Sequence, residues 1–133
     1  MNAVAGLRYR RWWQAAGYAI VVILTVNSLI PWPEMETAPR HFDKWLHAGA
    51  YLTLTLWFCG VHERRHWPLV AAGLLLLGAA IEFAQGRTGY RQADLADMAA
   101  NAAGVAVGLA VAAAGADAWC RRLESLLPGG RHA

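Results

Sequence analysis

Residues 67–85 read WPLVAAGLLLLGAAIEFAQ, an apolar stretch whose first fifteen residues contain no charged side chain. At 1.5 Å per residue, a helix of this length matches the roughly 30 Å of hydrocarbon in a bilayer. The stretch does not alternate polar and apolar residues as a barrel strand would, and a helix satisfies its own backbone hydrogen bonds in lipid. It is therefore predicted to cross a membrane as an α-helix.

Three further apolar runs lie on either side of this stretch. They cover about residues 13–30, 45–61 and 95–116, and the stretch at 67–85 completes a set of four. The sequence thus predicts an all-α membrane protein, a bundle of four transmembrane helices. Its organisation is a basic N-terminus at 1–12, a membrane domain at 13–116 and a tail at 117–133. The first run is expected to remain as an anchor, because it is long for a signal peptide and ends in Pro31-Trp32-Pro33-Glu34.

The composition supports a membrane protein and excludes other classes. Hydrophobic residues make up 57% of the chain and charged residues only 16%, against about 25% charged in soluble domains. The net charge of +3 is dispersed, so no nucleic-acid partner is expected. The two cysteines form neither a disulfide framework nor a zinc-binding spacing, and no cofactor is expected.

The distribution of basic residues predicts the orientation. Eight lie on the side that holds both termini, and four on the other side. The eight are Arg8, Arg10, Arg11, Arg64, Arg65, Arg121, Arg122 and Arg131; the four are Arg40, Lys44, Arg87 and Arg91. Because positive charge favours the cytoplasmic side, both termini are predicted to be cytoplasmic.

Polar residues of three predicted helices gather at the opposite, outer end. Helical spacing places Asp43, His47 and Tyr51 on one face of the second helix, and Glu82 and Gln85 near the end of the third. In the fourth helix, one face carries Asp94, Asp97, Asn101, Gly104 and Gly108. Gly104 and Gly108 are predicted packing positions, and the small residues around them suggest that the fourth helix is central in the bundle. Glu82 is the strongest candidate for a functional residue, since an ionisable group within a span is costly.

The same residues, in order, resemble the VanZ-like family of small bacterial integral membrane proteins. The resemblance runs from Asp43-Lys44-x-x-His47-x-x-x-Tyr51 through Glu82-x-x-Gln85 to Arg91-x-x-Asp94-x-x-Asp97-x-x-x-Asn101 and on to Gly108. The loop Arg87-Thr88-Gly89-Tyr90-Arg91 departs from the expected aromatic-Pro-Gly lead, and Arg91 is the better match by spacing. The resemblance implies a multi-pass protein of the bacterial inner (plasma) membrane, in a family whose named relative is associated with low-level resistance to teicoplanin.

The resulting hypothesis is an outward-facing polar site that binds an anionic envelope lipid or a lipid-linked cell-wall intermediate. If the site is catalytic, His47 would be the general acid or base, oriented by Asp43 or Asp97 and assisted by Glu82. Lys44 and Arg91 would hold the phosphate, and Gln85, Asp94 and Asn101 would complete the binding site. One network is predicted to join Glu82, Arg91, Asp97 and Asn101 to His47 and Lys44.

Two alternatives remain open at this point. In the first, the polar residues only hold the bundle together, and the protein is a non-catalytic binding or assembly subunit. In the second, which is a minor one, Asp43, His47, Glu82 and Asp97 hold a divalent metal ion, since such hard ligands suit several metals.

Overall fold

The described part of the chain is all-helical. The computed structural model describes residues 4, 6–31, 41–89 and 93–127, and these contain no β-strand. Four long helices and one short helix follow in order: α1 Arg10–Leu29, α2 Phe42–Val61, α3 Trp67–Gly86, α4 Leu95–Ala113 and α5 Trp119–Leu126. Single 3-10 turns at Arg64–His66 and Ala116–Ala118 precede α3 and α5. The predicted all-α class is confirmed over these residues.

Within the described residues, three helical segments are long and apolar enough to cross a membrane: Arg10–Leu29, Arg64–Gly86 and Leu95–Ala113. The helix α2 has the same 20-residue length as α1 and α3 but is not one of these three segments, and Asp43, Lys44 and His47 occupy its first two turns. It is also better covered by protein: seven residues of α2 are buried, against only Gly17 in α1. A helix shielded by its neighbours can carry such polar groups more cheaply than one that faces lipid.

The central helix is α2, and the prediction that the fourth helix is central was wrong. Within the described chain α2 packs against α1, α3, α4 and α5, whereas α4 has no extensive contact with α1. Ala102, Ala103 and Ala106 of α4 are exposed, so its small residues are not covered on several sides. Small side chains permit close approach, but they add little buried area where no partner is adjacent.

The closest pair of helices, α2 and α4, run in the same direction. Gly104 lies so close to Ala48 that a side-chain carbon at Gly104 would overlap the Ala48 carbonyl oxygen. Gly108 lies against Thr55 in the same way, with 2.6 Å between such a carbon and Thr55 Cβ. Glycine at these positions allows the two backbones to approach, as in other helix pairs that pack through small residues.

The direction of α1 and α3 follows from a contact between their C-terminal ends. Gln85 Nε2 donates a hydrogen bond of 2.7 Å to the Ser28 carbonyl, so α1 and α3 run in parallel. At the other end of α1, Arg10 Nε donates to the Val61 carbonyl at 3.3 Å, at the C-terminus of α2. The helix α2 therefore returns along α1. We call the end where α1 and α3 finish the acidic end, for its residues Asp43, Glu82, Asp94 and Asp97.

The opposite end is held by three indole rings, and we call it the tryptophan end. Trp13, Trp57 and Trp119 stack edge-on or tilted, with ring centroids 4.7–6.1 Å apart. The indole nitrogens of Trp57 and Trp119 donate to the carbonyls of Trp13 and Leu56, at 2.9 Å and 3.0 Å. Aromatic packing and satisfied N–H groups thus join α1, α2 and the region after α4.

Glu124 of α5 closes the start of α1. Its carboxylate accepts hydrogen bonds from the backbone amides of Arg8 and Tyr9, at 2.7 Å and 2.9 Å, and from Trp13 Nε1 at 2.8 Å. The start of α1 has no cap from the side chain of its own Tyr9. Burial acts to raise the pKa of Glu124, but the amides of Tyr9 and Arg8 outweigh it and hold the pKa below its usual value.

The helix boundaries differ from the predicted ones mainly after α4. The predicted fourth span reaches residue 116, but α4 ends at Ala113, and Gly115 adopts a positive φ of 111° that turns the chain. The predicted tail contains α5, an amphipathic helix with Cys120 and Glu124 buried. At the start of α4, Asp94 is the N-cap, and its side chain accepts a hydrogen bond from Ala96 N at 2.8 Å.

Candidate functional site

At the acidic end, Lys44 of α2 binds three carboxylates. Its Nζ lies 2.9 Å from Asp43 Oδ2, 2.6 Å from Asp94 Oδ2 and 2.5 Å from Asp97 Oδ1. Asp97 is the buried member, with 8% of its side chain exposed, whereas Asp43 and Asp94 are about half exposed. The Lys44 ammonium and the Ala96 amide hold the pKa of Asp94 below its usual value. This cluster fixes the start of α2 against the start of α4.

One turn further into the bundle, His47 contacts Asn101. His47 Nδ1 lies 3.2 Å from Asn101 Oδ1. Because the Asn101 oxygen can only accept, this contact requires the proton on Nδ1. In the neutral ring, Nε2 then carries a free lone pair. The contact therefore orients the imidazole and selects the tautomer in which Nε2 can accept a proton or bind a cation.

Glu82 of α3 is almost fully buried, at 2% exposure. Its Oε2 accepts a hydrogen bond of 3.0 Å from the backbone amide of Asp94. Its Oε1 is also buried and has no hydrogen-bond partner among the residues that the structure describes. A buried carboxylate oxygen without a partner is costly, so this atom is the least satisfied group of the acidic end.

The side chains of His47, Glu82 and Asp97 converge from three helices. A ring nitrogen of His47 and one carboxylate oxygen each of Glu82 and Asp97 lie within 4.8 Å of one another. All three residues were predicted to belong to the site, and the structure brings them together. The spacing is short enough for one water molecule or one ion to contact all three groups.

Tyr51 and Asn101 are accommodated by a glycine that the sequence reasoning missed. A side-chain carbon at Gly78 of α3 would lie 2.9 Å from Asn101 Nδ2 and 3.0 Å from the Tyr51 hydroxyl. Gly78 therefore makes room for two polar side chains beside the site. In the sequence, Gly78 is recognisable only as a glycine within an apolar run. Gly73 lies in the same run, but nothing lies within 4 Å of a side-chain carbon placed there, so the sequence does not distinguish the two positions.

Other predicted site residues have different surroundings. Gln85 is buried and its amide nitrogen donates to the Ser28 carbonyl, so it links α3 to α1. Asp43 does not cap α2: His41 precedes the helix with φ 64°, and Asp43 lies in the first turn beside Lys44. Arg87 lies over the Phe83 ring, 4.6 Å from its centroid. Arg91 lies outside the described residues, so its predicted place in the network stays a prediction.

The tryptophan end holds two buried acids that the sequence reasoning also missed. Asp117 pairs with Arg64, whose Nη2 lies 3.2 Å from Asp117 Oδ2, and Glu124 closes α1 as described above. Both acids follow the last apolar run, where an acidic residue is usually exposed. Their burial depends on contacts more than fifty residues away in sequence, so no local pattern indicated it.

The charges of the acidic end limit what it can do. Among the residues that the structure describes, this end gathers the carboxylates of Asp43, Glu82, Asp94 and Asp97, and the ammonium of Lys44 pairs with all of them except Glu82. With His47 neutral, the formal charge of this cluster is −3. Because Lys44 already contacts three carboxylates, it is not free to hold a phosphate as predicted, unless one of those ion pairs breaks.

No known protein family, characterised protein or solved structure matches this chain. The geometry of the acidic end is thus the basis for any function assigned to it.

Proposed function

We propose that this chain is a multi-pass protein of the bacterial inner membrane whose acidic end faces outward and binds an anionic envelope lipid or a lipid-linked cell-wall intermediate. In this proposal the four long helices all cross the membrane and both termini are cytoplasmic. From the VanZ-like resemblance, we also propose that the protein is linked to tolerance of glycopeptide antibiotics such as teicoplanin.

The helix directions support four crossings. Since α1 and α3 run in parallel, the chain between them has to return from the acidic end to the tryptophan end. The helix α2 makes this return over 20 residues, and its C-terminus contacts the start of α1. If α1, α3 and α4 cross the bilayer, α2 crosses it as well, shielded by the other three.

The observation that carries the proposal is the buried Oε1 of Glu82, which has no hydrogen-bond partner in the described chain. It belongs to a carboxylate within 4.8 Å of His47 and Asp97 near the end of an apolar helix. A group that only held the helices together would be more stable with its hydrogen bonds satisfied. An unsatisfied group at the membrane surface is better explained by a ligand that completes it. Because a carboxylate oxygen only accepts, the completing group has to be a donor, such as a hydroxyl or ammonium of the lipid headgroup, and not the phosphate itself.

The competing proposal is a binding or assembly subunit without a ligand of its own at this site. The observation in its favour is Lys44, which contacts three carboxylates and links the start of α2 to the start of α4. In this case the polar residues hold the bundle in shape. A ring nitrogen of His47 lies within 4.8 Å of the Glu82 carboxylate, and His47 is not one of the three residues paired with Lys44. Substituting His47 therefore distinguishes the two proposals.

We expect the variant His47→Gln to lose bound anionic lipid while it remains folded. A glutamine amide can still donate to Asn101 Oδ1, but it cannot exchange a proton as imidazole does. The protein is purified in a mild nonionic detergent, and co-purified phospholipids and polyprenyl phosphates are quantified by mass spectrometry. We expect about a tenfold drop in the retained anionic species, equivalent to about 1.4 kcal/mol of binding.

The matched control is His66→Gln, the same chemical change at the tryptophan end. It should leave the lipid content unchanged. Equal lipid content in His47→Gln and the parent would contradict the lipid-binding proposal. A large drop in melting temperature with unchanged lipid per folded protein would instead support the assembly subunit.

The orientation is tested with two cysteines placed at opposite ends of the bundle. The native Cys59 and Cys120 are fully buried and should not react, so the parent provides a silent background. Ala93→Cys is exposed at the acidic end and Ser125→Cys is exposed in α5. We expect a membrane-impermeant maleimide to label Ala93→Cys in intact cells and Ser125→Cys only after lysis. The reverse pattern would place the acidic end in the cytoplasm.

A further inference from the structure

We infer that His47, Glu82 and Asp97 bind one divalent transition-metal ion at the acidic end. The three side chains come from α2, α3 and α4, and their nearest ligand atoms lie within 4.8 Å of one another. Ligands at about 2.0–2.2 Å from one ion lie about 3.4 Å apart in a tetrahedral arrangement, so movements of less than about 1 Å in each side chain close the site.

The unsatisfied carboxylate oxygen is an independent observation that points to the same ligand. Glu82 is 2% exposed, and its Oε1 has no hydrogen-bond partner in the part of the chain that the structure describes. Its other oxygen is held by the Asp94 amide at 3.0 Å, which fixes the carboxylate in place. A cation bound by Glu82 would give this carboxylate the partner that the protein itself does not supply.

The contact between His47 and Asn101 orients the imidazole for metal binding. Asn101 Oδ1 accepts from His47 Nδ1 at 3.2 Å, so Nε2 of the neutral ring keeps its lone pair. Histidines that bind metals generally donate their other N–H to such an oxygen, which sets both the tautomer and the ring orientation. Asn101 is thus a positioning residue, which acts on the ion through His47.

The charge of the cluster favours a dication. Among the described residues of this end, the single ammonium of Lys44 is shared by three carboxylates, those of Asp43, Asp94 and Asp97, and Glu82 adds a fourth. Near the hydrocarbon, an excess of negative charge costs more than in water, and a dication reduces the formal charge from −3 to −1. The bound ion would also present a positive centre at the membrane surface, which Lys44 cannot do while it is paired.

The ligand set indicates the class of metal. One imidazole nitrogen with two carboxylate oxygens suits Zn²⁺ or Mn²⁺, whereas Mg²⁺ and Ca²⁺ prefer sites made of oxygen alone. Three protein ligands leave coordination positions open for water or for an oxygen of a bound molecule.

The test is a titration of purified full-length protein with the metal alone. The protein is treated with EDTA, exchanged into metal-free buffer in a nonionic detergent, and titrated with ZnCl₂, MnCl₂ or MgCl₂ by calorimetry. We expect saturable binding of one Zn²⁺ or Mn²⁺ per chain and a higher melting temperature at saturation, because a ligand that binds only the folded state stabilises it. Absence of saturation below about 1 mM for both ions would overturn the inference.

Three variants locate the ion. Glu82→Gln keeps an oxygen that can accept from the Asp94 amide, and Asp97→Asn keeps one for Lys44, so both should fold. Each should weaken binding by on the order of 100-fold or more, and Asn101→Ala by about tenfold. The matched control is Asp43→Asn, which removes a carboxylate of the same cluster that does not belong to the three. It should change the affinity by less than about threefold.

The Asp43→Asn control distinguishes a metal site with specific ligands from general attraction of the cation to negative charge. If Asp43→Asn and Glu82→Gln weaken binding equally, the metal is only held by the overall field and the inference is wrong. If Mg²⁺ binds as tightly as Zn²⁺ and Mn²⁺, the imidazole does not take part and the inference is also wrong. The titration measures metal binding and the test of the proposed function measures retained lipid, so failure of one proposal is distinguishable from failure of the other.

Discussion

Replacing Lys44 with methionine should lower the free energy of unfolding by about 3–5 kcal/mol. The buried Asp97 would lose the ammonium at 2.5 Å and would remain as an uncompensated charge between α2 and α4. The exposed Asp43 and Asp94 should add little to the effect, because water screens them. Methionine keeps most of the side-chain length, so the loss of charge is the main change. Unfolding in mixed micelles with increasing SDS measures the difference.

Two controls make this prediction specific. The double variant Lys44→Met with Asp97→Asn should recover most of the stability, since it removes the buried charge together with its partner. Arg65→Met breaks the exposed pair between Arg65 and Glu63, whose Nε and Oε2 lie 2.8 Å apart, and should change the stability by less than about 1 kcal/mol. A loss below about 1 kcal/mol in Lys44→Met itself would show that the Lys44 cluster does not hold α2 to α4.

Gly104→Leu should be the most damaging substitution in the contact between α2 and α4. A side-chain carbon at Gly104 would overlap the carbonyl oxygen of Ala48, and a backbone atom cannot rotate away as a side chain can. The two helices would have to separate, which also lengthens the contacts between Lys44 and Asp97. We expect a loss of about 3 kcal/mol, the upper part of the range for overpacked interiors, measured by the same SDS unfolding.

Gly73→Leu is the matched control for this substitution. Gly73 also lies within an apolar helix, but nothing lies within 4 Å of a side-chain carbon placed there. Leucine has a better helix propensity than glycine, so this variant should be as stable as the parent or slightly more stable. If Gly104→Leu behaves like Gly73→Leu, then Gly104 faces lipid and the close approach of α2 and α4 is wrong. Gly104→Ala should already be destabilising, because the overlap begins at the first side-chain carbon.

The sequence was sufficient to predict the long helices and to gather the polar residues at one end. Length, apolar composition and helical spacing are local properties, and they placed His47, Glu82, Asp97 and Asn101 on helix ends that the structure brings together. The same reasoning could not rank the helices by burial. It placed α4 at the centre because of its small residues, whereas α2 is central because its larger side chains Tyr51, Leu54 and Phe58 are covered by several neighbours.

The features that the sequence did not predict depend on contacts between distant parts of the chain. Glu124 looks like an ordinary charged residue of a tail, and nothing near it indicates that its partners are Arg8, Tyr9 and Trp13. Gly78 resembles Gly73 in sequence, and only the positions of Tyr51 and Asn101 distinguish them. Such pairings depend on how the helices are arranged, which helical periodicity within each segment does not encode.

The contact between Glu124 and α1 has a consequence for the order of events during translation. The ribosome makes Trp13 111 residues before it makes Glu124, so the start of α1 is synthesised long before its N–H groups can meet that carboxylate. Until α5 emerges, the amides of Arg8 and Tyr9 just before α1 and the indole N–H of Trp13 have to rely on other partners such as water. Arrival of Glu124 replaces these temporary partners, so the biogenesis of the first helix is complete only when the fifth has been synthesised.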